Sequence, residues 1–169
     1  MNVKNCRGLI VILPCLLVPA FLYSEPKPDE HAPMLNIAVM NLKAKETSQD
    51  DADAAADFLR SGLSQYAKGK YKIIDRKSIG TILADLKMDL ALAKDVDVAV
   101  RVGKIAGANM MVMGSLAMIE KRYYLSVQLL DVETGEVKAA SSEDAPSFKK
   151  VKKTANKIAK LLIEKLNTK

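Results

Sequence analysis

Four methionines, Met110, Met111, Met113 and Met118, crowd the ten-residue stretch NMMVMGSLAM. Thioether sulfur is a ligand for soft metals such as Cu(I). It is equally an ordinary filler where helices cover a sheet. Alternation along a strand puts Met111 and Met113 on one face, and Met110 and Met118 on the other with Val112 and Leu116 between them. The four sulfurs then share no single site, and neither histidine nor cysteine stands beside them. Copper binding is therefore a distant reading, and the stretch is expected to be a central strand that is apolar on both faces.

Other chemistry-bearing residues are sparse. The single histidine, His31, lies in a proline-rich run and is expected to be solvated. Cys6 and Cys15 both fall within the first 24 residues, which leaves no cysteine in the rest of the chain for a disulfide, a thiolate site or a nucleophile. Gly103, Gly107 and Gly114 are not followed by the Gly-Lys-Ser/Thr of a phosphate cradle. Asp50, Asp51, Asp53 and Asp57 cluster at an expected helix start, where the helix dipole favours acids without any cation. These residues predict no enzyme, no cofactor and no metal site.

The strongest surface signal is cationic. Residues 147–169 carry eight lysines against one acid, Glu164, so the formal +6 of the chain is concentrated there. Lys149, Lys150, Lys152, Lys153, Lys157, Lys160 and Lys165 surround an apolar helical stripe. They read either as a solvated face or as a contact with an anionic surface: lipid headgroups, cell-wall polymer or an acidic protein. Nucleic acid is disfavoured, because the chain reads as exported and Phe148 is the helix's one aromatic.

Export is read from the N-terminus. Lys4 and Arg7 precede an apolar run over residues 9–23, broken by Pro14 and Pro19, and then SEPKPDEHAP turns polar. That is the layout of a secretory signal peptide over residues 1–24, cleaved between Ser24 and Glu25. An uncleaved anchor is the alternative. Lipidation at Cys15 fits poorly, since Pro14 occupies the cleavage position and the residues that follow are still apolar. Residues 25–34 read as a proline-rich linker, and 35–169 as one domain with the lysine-rich helix at its end.

Periodicity places the elements. MLNIAVMNL suggests a strand covered on both faces. KAKETSQDD reads as a polar loop, with Thr47, Ser48 or Asp50 able to cap a helix. Ala52, Ala55, Ala56, Leu59, Leu63 and Tyr66 recur at helical spacing. YKIID is a second strand. Ile79, Ile82, Leu83 and Leu86 stripe a helix capped by Asp75 or Ser78, and Val98, Val102, Ile105 and Ala106 share a face of the next, capped by Asp95. Gly103 in that helix predicts close packing against a neighbour. Beyond the methionine strand, Leu125, Val127 and Leu129 alternate with Ser126 and Gln128, as in a half-buried strand. IEKR and DVETGEV have the character of hairpin turns. Ser147 caps a last helix striped by Phe148, Val151, Ala155, Ile158, Leu162 and Leu166. The prediction is an α/β fold: a single three-layer domain in the order β-α-β-α-α-β-β-β-α. Its mixed β-sheet has a parallel core and a C-terminal antiparallel meander, with helices packed on it.

The segments IAVMNL, YKIIDRKSIGTIL, VGKIAGANMMVMGSL and YYLSVQLLDVETGEV stand in an order and spacing that resembles the CsgG-like superfamily over residues 35–142. The matching positions are Asp75-Arg76 at a strand end, Gly107-Ala108 after a helix, Gly114-Ser115 at a strand and Thr134-Gly135 in a hairpin. The group includes the curli secretion component CsgG, the penicillin-binding-protein activator LpoB, flagella-linked FlgO and relatives of the TolB N-terminal domain. Its members share a fold more than an activity.

The resemblance implies a non-enzymatic periplasmic domain, peripheral to the outer membrane, that assembles or regulates an envelope machine. Curli-type secretion, cell-wall synthase activation and surface-appendage assembly are the candidate pathways. Envelope protein partners and self-association follow from it. CsgG itself forms an outer-membrane pore from added hairpins, whose strands need about 9–11 residues. Here the connections are short and the long strands serve the core, so a pore subunit is the alternative expectation.

Overall fold

The first strand, β1 (Leu35–Val39), begins where the charged, proline-rich run gives way to apolar residues. The computed structural model describes residues 34–86 and 96–168. The expected cleavage point at Ser24 and Glu25, Cys15, His31, nearly all of the linker and the cap Asp95 lie outside them. Ile37, Ala38 and Val39 are fully buried, as a strand covered on both faces requires.

β2 (Lys43–Lys45) follows and departs from the sequence reading. The polar run reads as loop, yet its first three residues pair with a neighbouring strand through backbone groups, a bond that needs no apolar side chain. α1 (Gln49–Ala67) is capped by Ser48, whose Oγ accepts from the Asp51 amide at 3.1 Å. β3 (Tyr71–Ile73) and α2 (Arg76–Asp85) come next, with Asp75 as the cap of α2. α3 (Val96–Ile105), β4 (Met110–Ile119), β5 (Arg122–Asp131), β6 (Val137–Ala145) and α4 (Phe148–Asn167) complete the order.

The sheet runs β3-β1-β4-β5-β6, with β2 also paired to β4. β1 is parallel to β3 and β4, whereas β4, β5 and β6 form the antiparallel meander. The β4–β5 hairpin closes on two residues, Glu120 and Lys121, both at positive φ (48° and 65°). This is the primed turn whose twist suits a tight hairpin, formed here without glycine.

Two cores flank the sheet and make three layers. Leu59 and Leu63 of α1 and Ile158 and Leu162 of α4 share one core with Ile37 of β1, Val112 of β4 and Val127 of β5. On the opposite face, Ile79 and Leu83 of α2 and Ala99 and Val102 of α3 cover Ala38, Met111 and Leu130. The methionines divide as alternation requires: Met111 and Met113 belong to the second core, while Met110 packs into the first. Met118, opposite Tyr123, is 37% exposed.

Val98, Val102 and Ala106 pack into the second core as expected, and one residue of that face departs. Ile105 is exposed, and the buried residues of α3 are Ala99, Val102 and Gly103. A Cβ on Gly103 would lie 2.7 Å from Val132 Cγ2 and 3.3 Å from Met111 Cε, so the helix approaches the sheet on its small residues. The close packing expected of Gly103 is therefore present, and it turns the bulkier Ile105 outward. No helix among the described residues is long and apolar enough to cross a membrane.

Candidate functional site

α1 and α4 cover one face of the sheet from β1 to β6. α2 and α3 cover the other only near β1, the start of β4 and the end of β5. The remainder of that second face, across β2, β4, β5 and β6, carries no helix among the described residues. Register fills it with small and polar side chains. Lys43 stands opposite Ser115, Ser115 opposite Ser126, and Ser126 opposite Ser142, one row across four strands. Lys45, Ala117, Tyr124 and Asp144 form the next row. The first row, with Lys45 of the second, floors an open groove of about 640 Å³, with Met113 and Val96 at its border. Ser126 Oγ lies 2.8 Å from Ser142 Oγ, so these hydroxyls bond to each other and not to a general base. Such a face can offer hydrogen bonds and flat contact, which suits docking.

The family-motif residues Asp75 and Arg76 do structural work. Asp75 accepts from the Lys77 amide at 3.1 Å and starts α2. Arg76 reaches back to α1, donating to Asp53 at 2.7 Å and to Asp57 at 3.0 Å. Asp57 also receives Arg60, whose other terminal nitrogen donates to the Val39 carbonyl at 2.7 Å. Desolvation lowers the Arg60 pKa, opposed by the Asp57 charge. Two of the four clustered acids, Asp53 and Asp57, thus answer arginines, and only Asp50 and Asp51 stand in the first turn where the helix dipole acts. Sequence reasoning passed over Arg60. Its one signal was a cation inside the buried stripe, between Leu59 and Leu63, three residues from an acid.

The glycines of the motif are turn and contact residues. Gly107 (φ 66°) ends α3, with the Ala108 amide bonded to the Gly103 carbonyl at 2.9 Å. The carbonyl of Gly107 accepts from the Asn36 side chain at 2.8 Å, which ties the helix end to β1. Gly135 (φ 74°) takes the tight position of the β5–β6 turn, while Thr134 Oγ1 accepts from the Glu136 amide. Gly114 packs against the backbone of β5.

The lysines spread along α4. Lys157 pairs with Glu143 and Lys160 with Glu164. Lys149, Lys150, Lys152 and Lys153 are exposed in the first two turns. On the opposite face, at the base of the β4–β5 hairpin, Arg122 pairs with Asp144, and its hydrogen bond and charge hold the Asp144 carboxyl below the usual carboxylate range. A depressed carboxylate contributes stability above its unfolded pKa and loses it as pH falls through the folded value. An NMR titration should therefore place the Asp144 midpoint below 3.8, and Arg122→Gln should raise it toward that ordinary value. A midpoint unchanged by the substitution would show that the pair does not persist in solution.

With the fold in place, comparison with known proteins becomes informative. Residues 22–150 match the FlgO protein family. The chain belongs to the FlgO family. No curated protein sequence matches it. Among solved structures, the LpoB C-terminal domain from Escherichia coli aligns with a TM-score of 0.55 and 18% identity, covering 66% of this chain and 82% of that one. Lipoprotein GNA1162 from Neisseria meningitidis aligns at 0.51 and 12%, covering 65% and 78%. The PelC dodecamer from Paraburkholderia phytofirmans aligns at 0.50 and 11%, covering 79% and 88%. At these identities the likeness is one of fold, and this FlgO-family member shares its α/β architecture with them.

Proposed function

We propose that this FlgO-family chain is an exported, non-enzymatic assembly or regulatory component of a cell-envelope machine. In this reading a signal peptide over residues 1–24 is removed after Ser24, and the domain over 35–169 works in the periplasm beside the outer membrane. The observation that carries the proposal is the part of the sheet face that no helix among the described residues covers, over β2, β4, β5 and β6, whose serine row offers flat, polar contact with its hydroxyls bonded to each other. The family match and the fold shared with LpoB support an accessory role and placement within the wider CsgG-like group. Among the envelope pathways, the link of FlgO to flagella favours surface-appendage assembly. The PelC fold occurs as a dodecamer, which supports a second copy as one occupant of an interface. A pore subunit is the weaker reading, since β4, β5 and β6, the strands long enough for a barrel hairpin, are paired within the sheet and buried on one face.

The test is site-specific photo-crosslinking in growing cells. A photoreactive phenylalanine in place of Ser126 should yield one discrete adduct with an envelope protein or a second copy. The same residue in place of Ser64, exposed on α1, should yield none. Indistinguishable adduct patterns at the two positions would remove the open sheet face as the docking surface.

A further inference from the structure

The β4–β5 hairpin and the start of α4 meet at one end of the molecule. Tyr123 and Phe148 pack edge to face with ring centroids 5.6 Å apart, joining the first turn of α4 to the base of the hairpin. On the hairpin side, Met118 is 37% and Ile119 is 54% exposed. On the helix side stand Lys149, Lys150, Lys152 and Lys153, all exposed. Among the described residues none of these four lysines has a carboxylate within salt-bridge distance. The nearby acids Glu143 and Asp144 are taken by Lys157 and Arg122, which leaves Glu120 at the hairpin tip.

This arrangement opposes the local preferences of a helix. Cations are unfavourable at the positive end of the dipole, and lysines three and four positions apart repel. The first turn contains no acid, and Ser147 makes no side-chain capping bond. Among the described residues, four unpaired cations therefore gather where the fold alone would place acids, at the hairpin end that also exposes Met118 on the α4 face and Ile119 on the opposite face. An anionic lipid surface relieves both conditions: headgroups neutralise the lysines while Met118 and Ile119 enter the acyl boundary.

We propose that the hairpin tip and the first two turns of α4 form a peripheral contact with an anionic phospholipid bilayer. The occupant is the lipid surface, chosen because charge and apolar exposure coincide; an acidic protein would have use for the lysines alone. This contact lies at the sheet end and does not depend on what docks on the open face.

The experiment uses the full chain with vesicles of phosphatidylglycerol and phosphatidylethanolamine, against pure phosphatidylcholine. The apolar run over residues 9–23 is common to all variants, so the readout is the difference between them. Replacing Lys149, Lys150, Lys152 and Lys153 together by glutamine should weaken binding to the anionic vesicles at least ~30-fold, since each lysine near an anionic leaflet is worth roughly fivefold. A charge-matched control, replacing Lys68, Lys70, Lys72 and Lys104 by glutamine near the start of β3 and β4, should change it less than about twofold. Equal losses in the two variants, or no loss in the first, would overturn the proposal. The chain contains no tryptophan. Ile119→Trp therefore supplies a single reporter whose emission should shift to the blue with anionic vesicles and be quenched by brominated acyl chains. An unshifted emission, with binding to poly-glutamate retained, would assign the lysines to an acidic protein and also overturn the lipid contact.

Discussion

Gly114→Ala is expected to destabilise the protein by at least about 3 kcal/mol, at or beyond the usual upper range for overpacking a core. A Cβ at this position would lie 2.1 Å from the Ser126 carbonyl oxygen, 3.0 Å from Val127 Cα and 3.1 Å from the Ser126 carbonyl carbon. All three are backbone atoms of β5, so no side-chain rotation makes room. The chain needs this contact for a topological reason. β4 pairs with β1 over Met110–Val112 and with β2 over Ser115–Ala117, so Gly114 sits where β4 changes partner. At that position the β4 backbone lies close against β5, and glycine is the residue that permits so close an approach. A single-domain stability of about 5–15 kcal/mol leaves little margin for such a loss. Urea denaturation of the purified protein checks it. A midpoint equivalent to less than about 1 kcal/mol of destabilisation would show that the strands can separate cheaply here.

Gly103 provides the contrast. The neighbours of a Cβ there are Val132 and Met111 side-chain atoms, which can turn or shift. Both glycines drew notice in the sequence. What separates them is whether the neighbour is backbone or side chain, and no local pattern carries that.

Elements whose residues report their own burial were legible. β5 alternates Leu125, Val127 and Leu129 against Ser126 and Gln128, and the first three are buried. Val151, Ala155, Ile158 and Leu162 recur on one side of α4 and are all buried there. β2 was not legible, since a three-residue edge pairing rests on backbone bonds and its side chains include two lysines. On α3 Val98 and Val102 pack as their spacing predicts, and Ile105 alone was misjudged, because apolar spacing does not rank Gly103 against Ile105 for the approach to the sheet.

The candidate site was less accessible still. Ser115, Ser126 and Ser142 are far apart in sequence and unremarkable singly. Only the registers of two hairpins place them in one row, and among the described residues α2 and α3 do not reach far enough to cover it. The α4 lysines, by contrast, stood out in composition alone. What composition could not supply was their pairing: Lys157 and Lys160 find acids, whereas the first four do not.

Arg60→Ala should cost about 2–3 kcal/mol, mostly by leaving a buried acceptor without its donor. The Arg60 side chain is 11% exposed, and it links α1 to the end of β1 through the Val39 carbonyl while holding Asp57. Val39 is fully buried, so water does not readily replace the lost donor. Asp57 is half exposed and keeps Arg76, so its share of the loss is small. Burial lowers the Arg60 pKa even against the pull of Asp57, which means that the charge itself is poorly accommodated. The value of Arg60 is therefore geometric: one planar group spans two acceptors, which a lysine ammonium cannot do from the same stem. Arg60→Met should recover part of the loss by restoring the apolar stem and removing the buried charge, while Val39 remains unpaired. Arg60→Lys should fall between methionine and the native residue. Chemical denaturation of the three variants orders them. Should Arg60→Ala lose less than about 1 kcal/mol, the Val39 carbonyl must find another donor and the guanidinium is not what fastens α1 to β1.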